Sequence, residues 1–339
     1  MIEGRSGMDN HVFVIAEAGV NHNGSLRLAK EMVDEAKKAG ADAIKFQTFK
    51  AEKLVSDMAP KAEYQKKLTG EQESQLDMLK KLELSFEEFS ELSDYCHRQK
   101  IMFLSTPFDQ ESLTFLDTVI KIPLIKIPSG EITNRPLLEQ IRECHKPVIL
   151  STGMCTLEEI QEALDVLGDE IKISILHCTT DYPAAFDTLN LRVIPALREK
   201  FQKEIGYSDH SKGIEASIAA VALGARIIEK HFTLDRKMKG PDHKASLEPS
   251  ELQKMTEAIR NVEMALGNGI KHPMEKEMEN AKVARKSIVA STRIFKGEVF
   301  DEKNLSVKRP GTGISPMRWH DVIGQMAKRD FEKDEMIEL

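Results

Sequence analysis

Two lysines of this chain stand where a lysine is costly. Lys45 follows Ala43-Ile44 and Lys126 follows Leu124-Ile125, each inside an otherwise apolar run. A charged amine in such a run is expensive unless an opposite charge meets it. An ion pair with a core carboxylate is the structural reading. Anion binding is the functional one, and the neighbouring hydroxyls favour it. Lys126 with Ser129 and Ser151 reads as a phosphate cradle, and Lys45 with Thr106 as a holder for a carboxylate. His210 and His231 close two successive runs of the same kind. Two imidazoles at adjacent strand ends suit one divalent ion completed by water and substrate oxygens, with Glu17 as a further oxygen ligand or a base. Structural zinc would need another histidine or a cysteine. His177 closes a further run and reads as a hydrogen-bond partner of ligand or backbone.

These residues need elements to hold them. Eight short apolar runs recur along the chain, at Val12–Ala16, Ala43–Gln47, Ile101–Ser105, Leu124–Ile127, Val148–Ser151, Ile173–His177, Ile205–Ser208 and Arg226–His231. Their near-continuous apolarity suits strands covered on both faces, as in a parallel sheet. Amphipathic segments lie between them. Leu26–Ala39 places Leu28, Met32 and Ala36 on one face; Ser85 with Glu88, and Thr156 with Glu159, have the spacing of capping boxes. Eight such units in series predict an α/β fold, a TIM (β/α)8 barrel. No phosphate-binding glycine signature of a doubly wound sheet is present. Barrel active sites lie at the C-terminal ends of the strands. Those ends here carry Glu17, Lys45 with Gln47, Thr106, Lys126 with Ser129, Ser151, Thr180 with Tyr182, His210 and His231.

The periodicity changes after about residue 267. A polar, Glu- and Lys-rich stretch over 268–284 reads as a partly helical linker, and 285–339 as a small β-rich domain after a barrel over 8–267. Such a module is short of core and is expected to dock on something. Residues 1–7 contain Ile2-Glu3-Gly4-Arg5, a protease site used to remove tags, so they read as a tag remnant. With a net charge of −7 and no basic stripe, the chain is a poor nucleic-acid or anionic-membrane binder. The absence of an apolar span or a signal peptide predicts a cytoplasmic location. Cys96, Cys144, Cys155 and Cys178 form no CxxC pair and read as reduced packing residues.

With these residues in hand, the chain resembles the sialic acid synthases, the family of N-acetylneuraminate, legionaminate and pseudaminate synthases. The resemblance is carried by IAEAGVNHNG at 15–24, KFQT at 45–48, STPF at 105–108, KIPSGE at 126–131, STGM at 151–154, YSDH at 207–210, EKHFT at 229–233, GPD at 240–242 and KRPGTG at 308–313. It runs from about residue 11 to the C-terminus. It implies a TIM barrel followed by an antifreeze-like (SAF) domain, usually in a domain-swapped homodimer. It implies Mn²⁺ or Mg²⁺ at His210 and His231. The phosphoenolpyruvate phosphate would lie at Lys126, Ser129 and Ser151, and its carboxylate near Lys45 and Thr106. The N-acylated amino-sugar would meet Glu17, Tyr182, Asp242 and, from a second copy, Arg309. Thr180 stands where some relatives have asparagine, which puts its phosphate contact in question.

On this reading the metal polarises the sugar aldehyde, C3 of phosphoenolpyruvate attacks it, and Glu17 does acid/base work near the reacting centre. N-acetylmannosamine is the favoured sugar, with the 2,4-diacetamido-2,4,6-trideoxymannose precursor of legionaminate as the alternative. A Schiff-base aldolase, which would need a lysine of depressed pKa and no metal, is a more remote rival. So is a non-enzymatic ice- or sugar-binding protein, disfavoured because no repetitive threonine array is present.

Overall fold

A computed structural model describes residues 11–56 and 74–339; the 1–7 leader lies outside the described residues. Eight parallel strands form one sheet: β1 Phe13–Gly19, β2 Ala43–Thr48, β3 Met102–Pro107, β4 Ile125–Ile127, β5 Val148–Ser151, β6 Ile173–Cys178, β7 Glu204–Asp209 and β8 Ile227–His231. Their order is β3-β2-β1-β8-β7-β6-β5-β4. β3 and β4, the two ends of that order, lie side by side, so the sheet is a near-closed TIM-like barrel. All eight runs read from the sequence are strands.

The helices follow from local chemistry. Ser25 caps the Leu26–Lys38 helix, which buries Ala29, Met32, Val33 and Ala36. Leu28, expected on that face, is only half-buried. Both capping boxes form, with Ser85–Glu88 opening the Phe86–Gln99 helix and Thr156–Glu159 opening Leu157–Leu167. The sequence reading passed over the Gln75–Leu82 helix, capped by Ser74, and the π-turn at Leu116–Ile120.

Strand parity sorts the side chains. Outward residues such as Val14, Ile44, Phe46, Ile175, Tyr207 and Ile228 pack under the helices. Inward residues Ile15, Ala43, Leu104, Leu124, Ile149, Leu176 and Ile227 fill the barrel as one apolar layer. Two residues further along six of these strands the inward positions turn polar: Glu17, Lys45, Thr106, Lys126, Ser151 and Glu229 are all buried. The same alternation that builds the apolar floor thus places the ionisable groups directly above it, at the C-terminal end.

The chain divides into two compact units, 1–267 and 268–339. The second has its own core around Ile288, Ile294, Phe300, Val322, Phe331 and Ile337. Its strands β9, Ser287–Ala290, and β10, Leu305–Lys308, pair antiparallel. The helix Glu275–Ala284 precedes them and is tied in by Gly311, whose N–H donates to the Lys282 carbonyl at 2.7 Å.

Candidate active site

Four charges share the polar layer. Lys45 Nζ is 2.7 Å from Glu17 Oε2 and 3.7 Å from Glu229 Oε2. Lys126 Nζ is 3.6 Å from Glu229 Oε1. Glu229 therefore stands between the two lysines, and Ser208 Oγ donates to its Oε1 at 3.0 Å. Two acids and two bases cancel, which is how the fold tolerates a pair of lysines in a barrel interior. The ion pairs of the structural reading are present, and the hydroxyls named in the other reading stand beside the same two lysines. Lys45 donates to Thr106 Oγ1 at 3.0 Å, and Lys126 to Ser151 Oγ at 2.8 Å.

The two carboxyls are driven apart. Burial raises the Glu17 pKa against the pull of Lys45, and the neighbouring Glu229 pushes it further up. Burial acts on Glu229 in the same direction, but Lys126 and Lys45 together outweigh it and hold its pKa down. One acid is thus poised to gain a proton while the other stays ionised, the divergence that assigns acid and base roles. Gln47 donates from Nε2 to Glu17 Oε1 at 3.2 Å and orients it.

Beside Lys126, Ser129 Oγ accepts the Gly153 N–H at 2.8 Å. A side chain at 153 would fall on Thr180 Oγ1 and meet Ser129 Oγ, so glycine is needed for these hydroxyls to converge. The Thr180 hydroxyl is buried with no partner. Lys126, Ser129, Ser151 and Thr180 thus surround one spot.

His210 and His231 face each other with ring centroids 5.4 Å apart. The Tyr182 ring lies tilted against His210, with centroids 4.2 Å apart, and meets His231 edge-on at 5.7 Å. His210 Nδ1 lies 2.7 Å from the Thr179 carbonyl, an acceptor only, so Nδ1 carries a proton and Nε2 has the lone pair of the neutral ring. His231 Nδ1 is buried without a partner, and burial with the charges of His210 and Lys45 keeps this imidazole neutral. Burial lowers the His210 pKa, but Cys178 and the Thr179 carbonyl outweigh it and hold it up. A divalent ion, which needs neutral imidazole, would displace the added proton and take Nε2 of His210 with the unpartnered Nδ1 of His231. Among the described residues no group of three or more His, Cys, Asp or Glu is placed to hold an ion, so the protein donors would be these two. Asp242 is buried, and desolvation raises its pKa from 3.8 to about 6 although His210 opposes the shift.

His177 points outward, 2.7 Å from the Leu189 carbonyl and stacked on Tyr207, and serves the backbone. Cys178 Sγ lies 3.6 Å from His210 Nδ1, and all four cysteines are free thiols. Arg309 lies in the smaller unit, where its Nε donates to the Ala284 carbonyl at 3.0 Å. The sequence places Ser208 and Glu229 among the polar residues at strand ends but gives neither a role in the site. Strand parity could have supplied one, because Ile227, Glu229 and His231 alternate onto one face, as do Gly206, Ser208 and His210.

Residues 32–271 match the NeuB family and residues 285–338 the SAF domain. The chain is 51% identical over 328 residues, 96% of its length and 98% of the relative's, to an N,N'-diacetyllegionaminic acid synthase of Campylobacter jejuni. It is 45% identical to the enzyme of the same name from Legionella pneumophila, covering 92% of this chain and 89% of that one. Among solved structures it resembles the N-acetylneuraminic acid synthetase of Leptospira borgpetersenii, at 38% identity and a TM-score of 0.72, over 80% of this chain and 90% of that one.

Proposed function

The chain belongs to the NeuB family of sialic acid-type synthases, and from that premise we propose that it condenses phosphoenolpyruvate with 2,4-diacetamido-2,4,6-trideoxymannose to give N,N'-diacetyllegionaminate and phosphate. The sequence alone favours N-acetylmannosamine. The identities of 51% and 45% to legionaminic acid synthases support the alternative instead. The observation that carries the chemistry is the polar layer, in which Lys45 and Lys126, each beside a hydroxyl, share the Glu229 carboxylate.

Phosphoenolpyruvate spans that layer. Its phosphate takes the place of Glu229 as the partner of Lys126, with Ser129, Ser151 and Thr180 as donors, and its carboxylate lies against Lys45 and Thr106. The desolvation already borne by the lysines makes them strong anion partners. The C2–C3 double bond opens as C3 bonds to the sugar aldehyde carbon, the aldehyde oxygen takes the proton held by Glu17, and C2 is left electron-poor. Water adds at C2 and passes its proton to Glu17, whose raised pKa suits it as base. The tetrahedral centre then breaks the bond from C2 to the oxygen that bridges it to phosphorus; the C2 hydroxyl becomes the ketone of the keto acid, and its proton leaves with the phosphate.

His210 and His231 would hold Mn²⁺ or Mg²⁺, which when bound supplies Lewis-acid polarisation of the aldehyde oxygen. Tyr182 supports both rings from one side. Asp242 contacts the sugar, and Arg309 reaches it from a second copy in a domain-swapped homodimer. Among the described residues no helix is long and apolar enough to cross a membrane; we place the reaction in the cytoplasm. Phosphate release measured with each sugar in turn tests the assignment. A higher kcat/KM for the diacetamido sugar supports it, and a preference for N-acetylmannosamine overturns it.

A further inference from the structure

One buried ion pair stands outside the polar layer, and the reaction as derived does not use it. Asp209 and Lys230 immediately precede His210 and His231. They are register partners across β7 and β8, and neither side chain reaches solvent. Parity turns them away from the barrel interior, toward the helix layer.

Every polar atom of the pair is committed. Lys230 Nζ is 2.9 Å from Asp209 Oδ2 and donates to the Ser211 carbonyl at 2.5 Å. Asp209 Oδ2 also accepts from Ser217 Oγ at 2.6 Å, on the Glu215–Ala222 helix. Its Oδ1 accepts the Ser211 N–H at 2.8 Å and Ser211 Oγ at 2.7 Å. The network therefore joins the ends of both strands, the turn that leaves β7 and the helix that follows. Stability alone does not account for it, because apolar pairs of similar volume commonly serve a core as well or better. Geometry does. Fixing Asp209 and Lys230 on one side of their strands fixes the next residues, His210 and His231, on the other.

We infer that Asp209 and Lys230 are a positioning pair that sets the separation and aim of the two imidazoles, and so the affinity of the divalent-ion site; this rests on the metal role proposed above. The pair touches neither ion nor substrate. It acts only through the backbone of the histidines.

The test uses the full-length protein and Mn²⁺ alone, followed by electron paramagnetic resonance titration, with thermal melting and kinetics on the same samples. Asp209→Leu combined with Lys230→Met removes both charges together, so that neither is left buried and unpaired. Mn²⁺ binding is expected to weaken by about 10- to 100-fold, the range for partners that orient metal-binding histidines. Arg260→Met is the comparison. It breaks the Arg260–Asp42 pair, 2.8 Å apart at the opposite end of the barrel, and should lower Tm without changing Mn²⁺ affinity. A folded double variant that binds Mn²⁺ as tightly as the wild type overturns the inference. If the double variant does not fold, Ser217→Ala takes its place: a roughly fivefold loss of affinity, the equivalent of one hydrogen bond, supports the inference, and an unchanged affinity overturns it. If the wild type binds no Mn²⁺, the metal reading fails by itself. The positioning role is then decided by kcat, which should fall while KM for phosphoenolpyruvate and Tm hold; an unchanged kcat overturns it.

Discussion

Glu17 and Lys45 lie side by side on β1 and β2, 2.7 Å apart between Oε2 and Nζ, at a depth that solvent barely reaches. Lys45 has a second acid, Glu229, at 3.7 Å. When Glu17 takes a proton, Lys45 keeps Glu229 as an ionised neighbour, shared with Lys126, and the layer is left with one positive charge in excess, which suits it to an anion.

Glu17→Gln keeps the shape and the contact with Gln47 but removes the base. It should lower kcat by roughly 10²- to 10⁴-fold, the range for a positioned proton acceptor, while KM for phosphoenolpyruvate changes little. Steady-state kinetics check this. A wild-type kcat would show that Glu17 holds Lys45 and does nothing more.

Lys126→Ala should reduce kcat/KM for phosphoenolpyruvate by roughly ten- to a hundredfold, the worth of one charge-assisted contact, with a smaller change in KM for the sugar. Equal effects on both substrates would make Lys126 a structural partner of Glu229.

Thr180→Val separates stability from binding. The hydroxyl is buried without a partner, so replacing it with a methyl of like size should raise stability by about 1 kcal/mol. The same change should raise KM for phosphoenolpyruvate, because a phosphate donor is gone. Thermal melts and KM measured together check the opposed signs.

Asp242 gives a pH test. Its folded pKa, near 6, lies above the unfolded 3.8, so the folded state prefers the protonated form. The stability this contributes is present below about pH 4 and is lost as pH rises through 6. Asp242→Asn cannot titrate. With chelator present, the wild type should lose roughly 2 kcal/mol relative to this variant between pH 4 and pH 7. Denaturant melts across that range measure it, and a constant difference would contradict it.

The barrel was legible because parallel strands covered on both faces leave uninterrupted apolar runs, and because lysines such as Lys45 and Lys126 stand out in them. Glu229 was not legible in the same way. In sequence it is half of an ordinary Glu-Lys dipeptide. Only the inward parity shared with His231 makes it the acid between two lysines, while Lys230 turns the other way to meet Asp209. The Gln75–Leu82 helix spans eight residues, too few turns for a periodic signal to stand out. The sugar was not legible because IAEAGVNHNG at 15–24 and KIPSGEIT at 126–133 suit the N-acetylneuraminate and legionaminate branches alike.

The fate of the bridging oxygen of phosphoenolpyruvate tests the central claim most directly. The substrate is labelled with oxygen-18 between C2 and phosphorus and incubated with the protein, Mn²⁺ and the diacetamido sugar, and both products are analysed by mass spectrometry. Condensation through water addition at C2 predicts that the label leaves with phosphate, in amounts equal to the keto acid formed and only when the sugar is present. Label retained in the organic product, or phosphate released without sugar, would mean that the polar layer promotes attack at phosphorus, and the account would be wrong.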